Sequence, residues 1–160
     1  MKKACKNVKE SQIEMTELVL PNDTNQLGNL LGGRLMHWMD IAAAIAAQRH
    51  TNRVCVTAAV DQMEFHHPIR LGEIVNLKAS VNRAFNTSLE VGVKVIAENQ
   101  LTGGSKIANS AYFTFVALDE LKNRVKVCAI KPQSREEKRR YKEAAIRRKH
   151  RLAGIRTGGS

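Results

Sequence analysis

One stretch, Arg34 to His50, constrains the fold more than any other part of the chain. It contains no Gly or Pro and is rich in strong helix formers, so it predicts one long helix that begins after Gly32-Gly33. From Ala42 to Ala47 this helix is apolar nearly all the way round. A helix of this kind is buried on most sides, and its small alanine side chains let a sheet approach closely. Other elements are therefore expected to wrap around it.

The segments on either side of this helix have the residue patterns of β-strands. Before it, a first strand is predicted at Ile13 to Leu20, ended by the turn residues Pro21-Asn22-Asp23. After it, Val54 to Val60 is a β-branched run, and Glu64 to Pro68 is predicted as a separate edge piece that the proline ends. Further strands are predicted at 75–81, 89–95 and 106–118. The predicted fold class is α+β, with the long helix wrapped by an antiparallel sheet of five to six strands.

The charge of the chain is concentrated at its C-terminal end. The formal net charge is +11, and residues 122–156 account for all of it. Ser134 and Glu137 have the spacing of a capping box and predict a highly charged helix from Arg135 to Leu152. Residues 155–160 are expected to fray.

Two interpretations of this charged helix stay open. The favoured one is a solvated helix. In the other, a thin stripe of Tyr141, Ala145 and Leu152 docks on the body, while the cations attract ligand phosphates or pack against neighbouring subunits. Tyr141 is the single aromatic residue of the segment, which argues against a nucleic-acid-binding module built on base stacking.

The rest of the composition excludes several classes of protein. The longest apolar run, Ile41 to Ala47, falls far short of the roughly 20 residues that span a bilayer, so no membrane partner is expected. The N-terminal lysines are not followed by an apolar stretch, so no secretory signal is predicted. Three cysteines without a CxxC pair disfavour disulfides and a zinc site. The expected location is the cytoplasm.

Four features could carry chemistry. Asp40 lies inside an otherwise apolar helix, where a carboxylate is costly unless it is paired, functional or at a solvated edge. Asn25 favours an Asx-turn, and Gly32-Gly33 is either a plain helix start or a pair of bare N–H groups that can polarise a carbonyl. His66-His67 has no further ligand at metal-binding spacing, so no metal is predicted.

The stretch from Leu20 to His50, LPNDTNQLGNLLGGRLMHWMDIAAAIAAQRH, resembles the signature of the hotdog-fold acyl-CoA thioesterases of the cytosolic acyl-CoA hydrolase group. In that family a strand leads into a Pro-x-Asp-x-Asn loop, a Gly-Gly start of the central helix and a Met-Asp segment. Downstream pieces match in the same order, including His67-Pro68-Ile69, Gly72-Glu73 and the strand at 112–118. The resemblance covers roughly residues 13–120.

The resemblance implies a hotdog domain at 13–130, after an N-terminal segment at 1–12 and before a basic C-terminal helix and tail at 131–160. It implies hydrolysis of acyl-CoA to a free fatty acid and CoA, with no cofactor, since CoA is part of substrate and product. The catalytic residues would be Asp40, as general base or nucleophile, and Asn25, with backbone N–H groups near Gly32 and Gly33 holding the oxyanion. CoA would bind at the loop formed by Asn86, Thr87 and Ser88, where many members have Gly-Arg-Thr/Ser-Ser at positions 85–88.

The resemblance also implies a homo-oligomer. Asn25 and Asp40 would meet across the interface of a dimer of hotdogs, and three such dimers would form a hexamer. An alternative within the fold is a dehydratase acting on acyl-carrier substrates, which needs a His before the helix. No His precedes Gly33, which argues against it.

Overall fold

A computed structural model describes the backbone of residues 4–157 and the side chains of residues 4–154. Its elements in chain order are β1 (Cys5–Asn7), β2 (Ile13–Leu18), α1 (Gly32–Thr51), β3 (Val54–Phe65), β4 (Ile74–Ala84), β5 (Ser88–Glu98), β6 (Ser105–Leu118), β7 (Ala129–Lys131) and α2 (Arg135–Thr157). Neither helix of the described chain is long and apolar enough to cross a membrane.

The long apolar helix forms as predicted. It is α1, which starts at Gly32 and ends where Asn52 adopts a left-handed conformation with φ of 52°. Its buried side lies against the sheet, and the small side chains on that side are fully covered: Ala42, Ala43, Ala46 and Ala47. The alanine-rich segment therefore allows the helix and the sheet to approach each other closely.

The sheet that covers α1 has five antiparallel strands in the order β2-β4-β5-β6-β3. This confirms the α+β class and the predicted strand number. The strands β2 and β3 form the two edges of the sheet, and β3 carries exposed apolar side chains, among them Val54, Val56 and Val60.

The prediction of two separate pieces after α1 was wrong. Residues 54–65 form one strand, β3, which pairs with β6 over its whole length and ends before Pro68. Two register shifts interrupt the pairing, between Thr57 and Ala59 and between Asp61 and Glu64. Gln62, inside the second shift, has a φ of 51°. Such bulges bend a strand without ending it, which explains why the local pattern looked broken.

A second, small sheet was not predicted. The strand β1 pairs in parallel with β7, in the register Cys5 to Ala129. Three-residue strands carry too little periodicity to be recognised in a sequence.

The C-terminal helix α2 is docked, so the favoured interpretation of a solvated helix was wrong. It lies on the sheet face opposite α1, where Arg147 forms two hydrogen bonds to the carboxylate of Glu90, at 2.8 and 2.9 Å. Both side chains are nearly covered, 9% and 2% exposed, and the Arg147 guanidinium stacks 3.5 Å from the ring centroid of Tyr112. Arg151 binds Asp61 of the edge strand at 2.5 Å.

The details of α2 also differ from the expected stripe. Ala144 is buried and Tyr141 half-buried against Arg83, but Leu152 is 47% exposed and does not belong to the docked side. The capping box of Ser134 and Glu137 is present. The helix continues through Thr157, so the expected fraying of 155–157 was wrong, and residues 158–160 lie outside the described chain.

Candidate active site

Asp40 lies at the border between the buried and the exposed side of α1. Its carboxylate is half-buried, and the exposed side beside it carries Met36, Ile41 and Ile45. Apolar side chains left open beside a carboxylate are typical of a surface that a second molecule covers.

Thr57 holds the carboxylate of Asp40 from the neighbouring strand. Its Oγ1 donates a hydrogen bond of 2.7 Å to Oδ1 of Asp40, which leaves Oδ2 free of hydrogen bonds from the described residues. Thr57 was not among the residues predicted from the sequence. The available signal was its place as the one hydroxyl residue in the run Val54–Val60 that follows the helix.

Asn25 forms the expected Asx-turn. Its Oδ1 accepts hydrogen bonds from the backbone N–H groups of Leu27 and Asn29, at 2.9 and 3.2 Å. Within the described chain, the hydrogen bonds of this side chain all run through Oδ1, so the Nδ2 amide hydrogens remain available to a ligand or a partner subunit. No hydrogen bond joins Asn25 to Asp40 within this protomer's described residues.

The first turn of α1 has no side-chain cap. The N-cap residue is Leu31, which offers no acceptor. The first intrahelical bond is donated by Leu35, so the N–H groups of Gly32, Gly33 and Arg34 have no backbone acceptor in the described chain. A Cβ at Gly33 would meet no atom within 4 Å. Bare N–H groups at an open helix N-terminus are suited to bind an oxyanion.

A cavity of about 330 Å³ lies beside these N–H groups. Gly32 lines it together with apolar side chains from three segments and the two histidines of the loop after β3: Leu30, Leu35, Phe65, Pro68 and Ile69, with His66 and His67. An acyl chain would find hydrocarbon surface here, next to donors for its carbonyl oxygen.

The predicted CoA-binding residues form the hairpin between β4 and β5. Asn86 is exposed, and its carbonyl accepts a hydrogen bond from Val127 N–H, while that of Thr87 accepts one from Ala117 and that of Ser88 one from Phe85. The guanidinium of Arg148, on α2, stacks 4.5 Å from the ring centroid of Phe85. Arg83, on β4, has its guanidinium 5.8 Å from the same centroid. Two cations, one from α2 and one from β4, therefore lie beside the hairpin loop.

His66 and His67 lie in the loop after β3. His66 Nε2 is 3.2 Å from a carboxylate oxygen of Glu64. No group of three or more His, Cys, Asp or Glu side chains that could hold a metal ion occurs among the described residues.

Comparison with known proteins identifies the family. A family model described as "Thioesterase superfamily" matches residues 27–103. An acyl-CoA hydrolase from Staphylococcus aureus, solved with butyryl-CoA, CoA and CoA disulfide, is 34% identical, with a TM-score of 0.89 over 94% of this chain and 92% of that one. The chain belongs to the thioesterase superfamily. The family resemblance and the hotdog fold expected from the sequence are thereby confirmed.

Two further relatives of this thioesterase-superfamily chain bear on assembly and size. A hexameric acyl-CoA thioesterase, solved without ligand, is 35% identical, with a TM-score of 0.91 over 98% of this chain and 99% of that one. Acyl-coenzyme A thioesterase 11 of Mus musculus is 43% identical over 89% of this chain. The chain spans about a quarter of the length of that protein and of a second mouse relative it matches.

Proposed function

We propose that this chain hydrolyses the thioester of acyl-CoA to a free fatty acid and CoA. The observation that carries the proposal is the Asp40 carboxylate, held at one oxygen by Thr57 on the open side of α1. The superfamily model and the acyl-CoA hydrolases among the relatives support the substrate class. The reaction needs no cofactor, since CoA is part of both substrate and product.

The chain's own residues supply two steps of this reaction. The free oxygen of Asp40 either removes a proton from the attacking water or attacks the thioester carbon itself. In the first case the hydroxide adds to the carbon, the C–S bond breaks, and the thiolate of CoA takes the proton. In the second, the C–S bond breaks as the acyl-Asp40 anhydride forms and the thiolate of CoA leaves; water then hydrolyses the anhydride, which releases the fatty acid and restores the carboxylate, and a proton from that water goes to the thiolate. The N–H groups of Gly32 and Gly33 hold the oxyanion in both cases.

The spacing of three side chains studied in a relative matches the spacing of Asn25, Asp40 and Thr57. Structures of the Staphylococcus aureus hydrolase include variants in which an Asn, an Asp and a Thr were each replaced by Ala. These residues are separated by 15 and 17 positions, as are Asn25, Asp40 and Thr57 here. We take Thr57 as the residue that positions the Asp40 carboxylate.

The active unit in this proposal is a dimer that shares its sites. Among the described residues of its own protomer, Asn25 Nδ2 forms no hydrogen bond. The edge strand β3 presents unpaired backbone groups beside Thr57. A second copy paired along β3 would cover the apolar side chains beside Asp40 and bring its Asn25 to the site. Three such dimers would form a hexamer, and one of the acyl-CoA thioesterases similar to this chain is hexameric.

The remaining assignments follow from the same resemblance. CoA would lie at the hairpin of Asn86, Thr87 and Ser88, with Arg148 near its phosphates. Residues 13–130 would be the catalytic domain, with 1–12 and 131–160 as additions to it. The three cysteines are free thiols, which fits a cytoplasmic protein of fatty acid metabolism.

Thiol release from acyl-CoA tests the proposal. Asp40→Asn is nearly isosteric and is expected to lower turnover by at least about 10²-fold with the melting temperature unchanged, because the general base is lost. Thr57→Val is expected to lose less, about 10-fold, since one hydrogen bond to the carboxylate is removed. Glu120→Gln, in an exposed turn, is the control and should keep full activity. A folded Asp40→Asn enzyme with normal turnover would remove Asp40 from the mechanism.

Mixing two inactive variants tests the shared site. Asn25→Asp keeps an acceptor for the Asx-turn but removes the amide donor. If Asn25 and Asp40 act across a dimer, refolding this variant together with Asp40→Asn restores activity, because each mixed dimer has one intact site. No recovery from the mixture would contradict the shared site.

A further inference from the structure

A cavity of about 550 Å³ lies on the sheet face opposite the candidate active site. It runs between the sheet and the first turns of α2, and we call it the outer-face groove. Asp40 and Thr57 lie on the α1 side of the sheet, so this groove is separate from their site within a protomer.

The floor of the groove is set by strand register. One row of neighbours across the sheet is Ser80, Gly92 and Tyr112, and the next is Lys78, Lys94 and Ser110. A Cβ at Gly92 would lie 2.9 Å from Nδ2 of Asn82. Glycine at this position therefore keeps the floor open where a side chain would collide with a buried amide.

Several polar groups of the groove lack partners. Ser80 is 8% exposed, yet its hydroxyl has no hydrogen-bond partner among the described residues. In the same part of the chain, the hydroxyls of Ser110 and Tyr112 and the ammonium of Lys94 also have none. Ser80 is the buried one of these four residues; Ser110 and Tyr112 are half-buried, and Lys94 is exposed. Four donors that converge on one cavity without protein acceptors match a ligand rich in acceptors.

The charges of the groove favour an anion. Lys78 and Lys94 stand directly opposite each other on neighbouring strands, an arrangement that is unfavourable without a counter-charge. Two arginines of α2, Arg139 and Arg140, complete the cationic wall. The acidic side chains lining the groove are Glu14, which is 3.7 Å from Lys78, and Glu136, which pairs with both arginines.

These pairs leave the groove with an excess of positive charge. Arg139 also binds Glu143, which lies outside the lining, and His66, whose Nε2 is 3.2 Å from Glu64, lines the groove as well. Among the described residues that line the groove, Lys94 is the Lys or Arg that forms no ion pair. An ammonium, two arginines and three hydroxyls match the several oxygens of a phosphate better than the two of a carboxylate.

We propose that the outer-face groove binds a small phosphate-bearing anion, with Lys94 and Arg140 on the phosphate and the hydroxyls of Ser80 and Tyr112 on its remaining oxygens. The phosphates could be those of CoA or those of another small phosphorylated compound. The proposal does not depend on the proposed thioesterase activity.

Calorimetric titration of the full chain with inorganic diphosphate tests the groove. Saturable binding is expected, and Lys94→Gln should weaken it about 10-fold, the effect of one charge-assisted hydrogen bond. Tyr112→Phe should weaken it less, about 3-fold, because the ring under Arg147 remains. Point variants are needed here, since truncating α2 would also remove Arg147 from Glu90.

Lys106→Gln is the matched control, because Lys106 is an exposed strand lysine outside the groove. It should bind diphosphate like the unmodified protein. Absence of saturable binding, or equal weakening by Lys106→Gln and Lys94→Gln, would overturn the proposal.

A competition arm with CoA distinguishes the source of the phosphate. If CoA displaces diphosphate and its binding also weakens in Lys94→Gln, the groove takes the phosphates of CoA. If CoA does not compete, the ligand is another phosphorylated compound. Asp40→Asn should bind diphosphate like the unmodified protein. Thiol release therefore tests the proposed thioesterase activity, and diphosphate titration separately tests binding in the groove.

Discussion

The two faces of the sheet are covered by helices in opposite ways. Beneath α1 the strands present hydrocarbon, as in the row of Val81, Val91 and Phe113, and alanines fill the helix side. Beneath α2, where Ala144 is the buried apolar side chain of the helix, the contacts include the ion pairs of Arg147 and Arg151 and cation–ring stacks of Arg147 and Arg83. Burial of apolar side chains stabilises the fold without requiring a particular partner for each one, whereas each buried charge on the α2 face depends on its own partner. We therefore expect that stability lost through one substitution on the α2 face can be recovered by a second substitution at its partner. Three experiments test or refine this difference between the faces.

Breaking the pair of Arg147 and Glu90 should have the largest effect. Arg147→Met leaves a buried carboxylate unpaired, and we expect the free energy of unfolding to fall by about 3–5 kcal/mol. Adding Glu90→Gln removes the charge but keeps an acceptor for Asn82, which now donates to Glu90 at 2.9 Å. The double variant should recover most of the loss, because well-packed neutral side chains can replace a buried ion pair.

Urea unfolding of the single and double variants measures both numbers. Arg151→Ala is the control on the same helix, since its pair with Asp61 is more exposed, 17% and 24%, and should contribute about 1 kcal/mol or less. A double variant as unstable as the sum of its single changes would show that the α2 face cannot be compensated.

The sequence predicts the α1 face well and the α2 face poorly, for a physical reason. Periodicity reports which side of an element is apolar, and that was enough for α1 and for most strands. Arg147 and Glu90 are 57 positions apart, and nothing local marks this arginine among its many charged neighbours as the buried one. The bond between Thr57 and Asp40 also depends on a tertiary contact, whereas the turn at Asn25 is local and was predicted.

The second prediction concerns a buried polar side chain in the otherwise apolar interior around α1. His50 is fully buried near the end of α1, where Nε2 donates to the carbonyl of Cys128 at 2.8 Å and Nδ1 has no partner among the described residues. Burial lowers the pKa of His50 below its ordinary value of 6.5, more than the hydrogen bond to Cys128 raises it. The native state therefore holds this ring neutral.

The sign of the pH effect follows. Below about pH 6.5 the unfolded chain binds a proton that the folded chain does not, so stability is present above that pH and is lost as the pH falls. The loss should approach at most about 1.4 kcal/mol per pH unit between pH 6.5 and the lowered pKa. Unfolding at pH 7.5 and 5.5 measures it, and His50→Gln should flatten the dependence while exposed His37→Gln should not. The same slope in His50→Gln would assign the effect to other groups.

The smallest effects concern the starts of the two helices, which differ as the faces do. In α2, Ser134 Oγ accepts from Glu137 N–H at 3.1 Å, and the Glu137 carboxylate accepts from Ser134 N–H, whereas Leu31 leaves α1 uncapped. Ser134→Ala should cost about 1 kcal/mol. Leu31→Ser should be more stable than Leu31→Ala by a similar amount, because the new hydroxyl takes an N–H group of the first turn. If those N–H groups hold the oxyanion, Leu31→Ser should also turn over acyl-CoA more slowly than Leu31→Ala, because a donor is already engaged. If the two variants turn over acyl-CoA at the same rate although Leu31→Ser is the more stable, the N–H groups of the first turn do not hold the oxyanion.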